Sequence, residues 1–305
     1  MMDKLRLLHL TTAPTGLTGI SSPPRRRPPI SDRAHDLVIR LITRLCAQLT
    51  IHFSLGLAIL LVSSGAMAGP VGILAYHRFG PEMADSMTVR TAVFEAQVAR
   101  LRQEGYTFLP LSRAVAGLRG QEPLPDKAVA ITVDDGHRSV YTELLPILRR
   151  EHLPVALFIY PSAISNASYA MTWEQLAELQ ATGLVEIHSH TYWHPNFHVE
   201  KKRLAPEAYA AFVRNQLEKP RRVLQARLGV ATTFLAWPFG IYDADLEAAA
   251  AAAGYTAAFT LDARPASPTD RPLALPRYLM VDSQGASGPA RLLRQGHPQT
   301  GNKKP

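Results

Sequence analysis

The sequence predicts an α/β fold in which helices cover a parallel sheet, and three observations carry that expectation. Short apolar, branched runs alternate along the chain with longer segments of helical period. Several of these runs are almost continuously apolar, the pattern of strands buried on both faces. At 305 residues, 47% of them hydrophobic, the chain can fill a sizeable core. This pattern suits an open sheet and a closed barrel equally well.

In chain order, residues 71–75, 128–133, 155–160, 184–187, 233–237 and 256–260 read as strands. Residues 91–104, 139–151, 172–181, 207–228 and 243–253 read as helices between them. Thr172 and Gln175 have the spacing of a capping box, which marks one helix start. After Pro276 the pattern thins, with 279–281 as a last strand. From Gly285 the content of Gly, Pro and Gln predicts a loose tail. The expected organisation is a leader over 1–68, one folded domain over 69–284 and a flexible tail over 285–305.

Within the leader, residues 21–32 (SSPPRRRPPISD) lack any apolar period and are expected not to fold. Arg40 and Arg44, the apolar run 53–62 and the small residues Ala66-Met67-Ala68 follow in the order of a secretory signal peptide, whose cleavage would leave Gly69 first. The basic region begins about forty residues into the chain, late for a signal. A retained membrane anchor near residues 51–68 is the alternative, although the apolar run is shorter than the ~20 residues a bilayer crossing needs. An ordinary buried helix is the third reading.

The net charge of +8 suggests nucleic-acid binding until it is divided along the chain. Residues 1–68 hold eight Lys or Arg against three Asp or Glu, and the rest hold twenty-five against twenty-two. No basic stripe stands out in the larger part, which argues against a nucleic-acid partner. The single cysteine, Cys46, lies in the leader. A metal site in the folded domain must therefore use histidine nitrogen and carboxylate oxygen, and a thiolate nucleophile is excluded there. No G-x-S-x-G elbow is present either.

Two clusters point to chemistry. Asp134, Asp135 and Gly136 end the apolar run 128–133. Neighbouring strand residues point to opposite faces, so two carboxylates share a pocket only where the strand ends and bends, and Gly136 permits the bend. Like charges held close push their proton affinities apart, leaving one to bind a cation and the other to act as a base. An aspartate capping a helix start is the plainer alternative. The second cluster is His188-Ser189-His190-Thr191-Tyr192-Trp193-His194-Pro195, after the run 184–187. The spacing of His190 and His194 brings two rings together in a helical turn, while Pro195 equally favours an irregular loop. Two histidines and an aspartate form a ligand set for a divalent transition metal with a position left for water. His188 and His198 are additional candidates, His188 more as a structural or supporting group. His77, after the first strand, can reach the same pocket as a proton donor or acceptor.

These motifs resemble the polysaccharide deacetylase family, also called the NodB-homology or carbohydrate esterase 4 group. Residues 132–136 match its TFDDG motif with Val133 for Phe, and residues 190–195 match its H-[ST]-x-x-H-P motif without change. The resemblance spans residues 71–281 and implies a distorted (β/α) barrel, usually of seven strands. It implies Asp135, His190 and His194 as ligands to a metal, most often Zn²⁺, and Asp134 as general base. Two departures stand out. Where the family places the arginine that partners its base, this chain has Leu235-Ala236-Trp237-Pro238-Phe239-Gly240. Where it places a leucine-x-histidine acid motif, this chain has Leu275-Pro276-Arg277-Tyr278. The chain is closer to the branch of exported poly-N-acetylglucosamine deacetylases, in which a motif similar to Tyr76-His77 is thought to supply the acid.

The resemblance implies a metal-dependent hydrolase that removes N-acetyl groups from an N-acetylglucosamine-containing polysaccharide outside the cytoplasm, in the periplasm or beyond. Alternatives are an amidase for a small non-sugar amide, an O-acetyl esterase for xylan or another glycan, and a non-enzymatic glycan-binding module. Tyr160, Tyr192, Trp193, Trp237 and Phe239 flank the motifs as candidate surfaces for sugar rings. Membrane contact is expected only through an uncleaved leader.

Overall fold

The computed structural model describes residue 40 and residues 69–296. The latter belong to the unit Ala66–Pro305. The signal or anchor expectation falls outside the described residues. Among the described residues no helix is long and apolar enough to cross a membrane.

The domain is built on a curled sheet of parallel strands. Its main path runs through β10 (Tyr278–Leu279), β1 (Val71–Tyr76), β5 (Ala128–Asp135), β6 (Val155–Ile159), β7 (Val185–Ser189), β8 (Phe234–Ala236) and β9 (Ala257–Phe259). The short strand β4 (Thr107–Phe108) pairs with the start of β5, and β2 (Arg78–Gly80) pairs with β3 (Thr88–Arg90) in a separate ribbon. The curl is partly open. β9 meets the chain ahead of β10 through a single parallel bridge, Phe259 to Leu275, with Leu275 N–H donating to Ala258 O at 2.8 Å. This is the distorted barrel the family resemblance implies.

Strand alternation sorts side chains into two cores. One side of the sheet carries Val129, Ile131, Val133, Leu157, Ile159, Val185 and Ile187. They pack beneath α1 (Thr91–Gln103), α3 (Leu145–Glu151) and α4 (Trp173–Ala181). The other side, inside the curl, carries Ile73, Ala128, Ala130, Ala156, Ala236 and Ala257, with Phe158, Phe234 and Phe259 among them. Alanines let strands of a narrow curl approach, and the three phenylalanines fill the space that remains. Helix α2 (Leu111–Leu118) joins this inner core through Leu111, Ala114, Val115 and Leu118. The inward parity continues upward through Thr132 to Asp134, and from Glu186 through His188 to His190, so the sheet itself aims these groups at one opening.

The remaining helices are α5 (Phe197–Arg203), α6 (Pro206–Leu228), α7 (Ala244–Ala252) and α8 (Gly288–Gly296). The Thr172–Gln175 capping box forms as expected at the start of α4. The helix expected over 139–151 begins as a π-turn, Val140–Leu144, before α3. The expectation of a loose tail from Gly285 is corrected as far as Gly296, because α8 is helical and buries Ala290 and Leu293 completely. Its composition is polar, but its apolar residues fall on one face, and Gly72 of β1 leaves the space that Leu293 fills. Arg294 adds an ion pair to Glu104 beyond α1. Leu293→Ala is therefore expected to lower unfolding free energy by ~2–4 kcal/mol, read by denaturant titration. A mobile tail would show no change.

Candidate metal centre

The carboxyl ends of the parallel strands gather the centre, as they do in α/β folds generally. Asp134 and Asp135 end β5, and His190 directly follows β7. Asp135 turns away from the strand with φ 73°, followed by Gly136 at φ 76°. Thr191 and His194 are likewise left-handed, at φ 65° and 63°. Such conformations cost non-glycine residues ~1–3 kcal/mol each and persist where surrounding contacts enforce them. The enforcement is visible: Thr191 Oγ1 accepts from His194 N–H at 3.2 Å. The buried Gln216 of α6 accepts at Oε1 from the N–H groups of both Tyr192 and Trp193. His190 and His194 thus share a loop rather than a helical turn.

Asp135, His190 and His194 each offer a ligand atom, all within 4.8 Å of one another. Asp135 Oδ1 lies 3.7 Å from Nε2 of His190 and 3.7 Å from Nε2 of His194. His190 Nδ1 stands 2.8 Å from the carbonyl oxygen of Ala236, which fixes Nδ1 as the protonated nitrogen and turns the Nε2 lone pair toward Asp135. Asp135 Oδ1 is buried without a hydrogen-bond partner. A divalent cation satisfies that orphaned oxygen together with two imidazole nitrogens, so the residues present fit a metal. Burial, followed by the charge of His190, lowers the pKa of His194 to about 4, so its ring is neutral and free to ligate at neutral pH.

His188 takes no part in the triad. Its ring lies between Phe158 and Phe234, with Nδ1 at 3.3 Å from Thr232 Oγ1 and Nε2 at 3.4 Å from Glu186. His198 is exposed on α5.

The group that sequence reasoning missed is Arg277. It is fully buried just ahead of β10 and grips Asp134 with both terminal nitrogens, Nη1 to Oδ1 and Nη2 to Oδ2, at 2.8 Å each. Its Nε donates to Thr260 O and Nη1 also to Thr132 Oγ1, and the guanidinium lies over the Phe158 ring. Burial pushes the Asp134 carboxyl up. The charges of Arg277 and His190, the Arg277 hydrogen bonds and the His77 charge outweigh this and hold it well below the usual carboxylate range. Asp134 is thus a buried carboxylate whose Oδ2 lies 3.9 Å from His190 Nε2. The available signal was one basic residue within the otherwise apolar run from Leu273 to Met280.

His77, directly after β1, feels the charges of Asp134, Asp135, His190 and Arg277, which places it at the same opening, and its Nδ1 is buried without a partner. Burial lowers its pKa, against the two aspartates that raise it. Among the flanking aromatics, Trp237 is core, with Nε1 donating to Leu273 O. Tyr192 lies beneath Lys219. Phe239 and Trp193 are open to solvent, and Phe239 sits edge-on to His194 with centroids 4.5 Å apart.

A curled parallel sheet with an Asp-His-His centre at its carboxyl ends defines a metal-binding NodB-homology domain. Residues 121–258 match the polysaccharide deacetylase family. The chain is 26% identical over 246 residues to the poly-β-1,6-N-acetyl-D-glucosamine N-deacetylase of Escherichia coli K12, covering 69% of this chain and 36% of that protein. This chain therefore spans little more than a third of that relative. With the enzyme of the same name from Staphylococcus aureus MRSA252 it shares 24% identity over 199 residues, 64% of this chain and 68% of the other. The structure of IcaB from Ammonifex degensii superposes with a TM-score of 0.66 at 26% identity, covering 74% of this chain and 98% of that one. The fold is of the NodB-homology type, and residues 121–258 are the part of the chain that matches the polysaccharide deacetylase family.

Proposed function

We propose that the chain is an exported N-deacetylase of N-acetylglucosamine-containing polysaccharide, with zinc held by Asp135, His190 and His194, Asp134 as general base and His77 as general acid. One observation carries this reading: a carboxylate kept ionised by a buried arginine shares an opening with an unpartnered carboxylate oxygen and an unpartnered histidine nitrogen. The poly-β-1,6-N-acetyl-D-glucosamine deacetylases among its relatives favour the glycan.

A bound divalent metal supplies Lewis acidity, polarising an acetyl carbonyl and lowering the pKa of water. The chain's own groups do the rest. Asp134, oriented by the Arg277 fork, takes a proton from the attacking water. Its second oxygen stays tied to the guanidinium, so the carboxylate needs no reorientation as the proton arrives. His77, in the protonated form that its lowered pKa makes the minor one at neutral pH, delivers its proton to the sugar nitrogen as the C–N bond breaks. Burial makes that imidazolium a stronger acid than it is in water. The products are acetate and a free amine on the glycan. Phe239 and Trp193 offer flat faces for pyranose rings beside the centre.

Acetate release from N-acetylglucosamine oligomers, acetylated xylan and a small aromatic acetamide tests the reading. Release from the oligomers is expected. Release from xylan alone would make the chain an esterase, release from the acetamide alone would make it a small-molecule amidase, and release from none would remove the hydrolase reading.

A further inference from the structure

All four N–H groups of the loop from Thr191 to His194 donate to side chains. Thr191 N–H donates to Ser189 Oγ and His194 N–H to Thr191 Oγ1, each at 3.2 Å, so the segment supplies its own acceptors at both ends. The two N–H groups between them share one acceptor, Oε1 of Gln216 on α6, at 3.2 Å from Tyr192 N and 3.1 Å from Trp193 N. Backbone donors either pair within the fold or turn to water, and here a single buried amide oxygen decides between the two. We propose that Gln216 is a positioning residue for the metal ligand His194, so that affinity for the ion is set in part on a helix outside the ligand motif. The inference rests on Asp135, His190 and His194 being the ligands, and it is independent of the substrate.

Gln216 can hold the loop because α6 is itself held. Val213 and Leu217, on either side of it, belong with Phe197, Leu235 and Trp237 to one buried cluster. Pro220 lies four residues beyond Gln216 and has no N–H to give its carbonyl, so the helical ladder is open at this turn. The buried Tyr255 hydroxyl donates to Leu217 O at 2.8 Å and ties the same turn to the chain beyond α7. Phe212 and Lys219, four residues before Gln216 and three after, share its face of the helix. The Phe212 ring meets Trp193 edge-on at 5.9 Å, and the Lys219 ammonium stands 3.7 Å from the centre of the Tyr192 ring. Three α6 side chains thus bracket the Tyr192–Trp193 dipeptide. Thr191 and His194, both left-handed, flank it, so release of its two N–H groups lets both relax and carries the His194 ring away from Asp135. A ligand placed before the ion arrives loses less freedom on binding it.

The test is the Zn²⁺ dissociation constant of the full chain, measured by competition with a chromogenic chelator at a temperature where circular dichroism shows the proteins folded. Gln216→Leu removes the acceptor and keeps the bulk, and its Kd is expected to rise at least tenfold, within the ~10–100-fold loss that follows removal of a group supporting a ligand. Gln216→Asn stays polar but places its oxygen one methylene short, and is expected to raise Kd about fivefold. Gln216→Glu keeps an acceptor at the same reach and is expected to stay within about twofold of the unaltered protein. In a His194→Ala background, adding Q216L is expected to change Kd by less than about twofold, because the ligand that Gln216 positions is gone. A glutamine that only stabilises the fold would lower Tm when replaced and leave Kd alone. Unchanged Kd in Q216L and Q216N, a Q216E as weak as Q216L, or an equal further loss in the H194A background would each overturn the positioning role and leave the metal centre standing. If Q216L does not fold, Q216N carries the same test. Failure of the unaltered protein to bind Zn²⁺ would overturn the metal centre itself.

Discussion

Acetate release by D134N is expected to fall about 10³-fold, within the 10²–10⁴ span ascribed to a positioned general base. The substitution keeps the size of the side chain and one oxygen to accept from Arg277, but removes the only lone pair basic enough to take the proton from water. Asp135, His190 and His194 are untouched, so metal content measured by elemental analysis is expected to match that of the unaltered protein. KM is expected to change little, because the base acts as water attacks rather than as substrate binds. The variant leaves the Arg277 charge buried without its counter-ion, which costs stability. Activity is therefore compared at a temperature where circular dichroism shows both proteins folded. Equal rates for D134N and the unaltered protein would reject Asp134 as the base.

Arg277→Met is the second large effect, and it acts on fold and chemistry together. Asp134 and Arg277 are both fully buried, and removing one member of such a pair typically costs ~3–5 kcal/mol because the other is left uncompensated. Without the guanidinium, burial is opposed only by the weaker histidine charges, and the Asp134 pKa rises. The linkage has a definite sign. The folded-state pKa of Asp134 lies below its ordinary value of 3.8, so the pair's stabilisation is complete above that pH and is lost as pH falls through the folded value. R277M is expected to lose that contribution, to unfold at higher pH on acid titration, and to release acetate at least 10²-fold more slowly at neutral pH. Arg277→Lys keeps the charge but cannot form the two-pronged bond, and is expected to fall between R277M and the unaltered protein in both respects. The double variant D134N/R277M is expected to recover part of the lost stability and none of the activity, a pattern that separates the buried pair from general misfolding.

The candidate metal cluster was legible in the sequence because Asp135 and His190 sit at strand ends and His194 follows in the same short loop. Asp134 and Asp135 close an apolar run, His190 follows another, and His77 a third, so local pattern gave both strand and site. Arg277 was not legible. Its partner lies 143 residues away, and only the curl of the sheet joins them. The segment where the resemblance implies an arginine, residues 235–240, holds none, and the ion pair reaches Asp134 instead from Arg277, just ahead of β10, which pairs with β1. Gln216 was hidden for a similar reason: nothing in the period of α6 distinguishes a glutamine that holds the Tyr192–Trp193 backbone. Helix α8 was missed because composition was read where spacing mattered. Gly, Pro and Gln suggested a loose tail, but Ala290 and Leu293 share the face that meets β1. The short elements β2, β3 and β4 gave too few residues for any period to show.

The most direct test of a metal-dependent hydrolase at this centre is a titration of metal-free protein with Zn²⁺, following bound metal and acetate release from N-acetylglucosamine oligomers in the same samples. No release is expected without metal, with a rate rising in proportion to occupancy and saturating at one ion per chain. Undiminished release by the metal-free protein, or saturation of binding without any release, would contradict it.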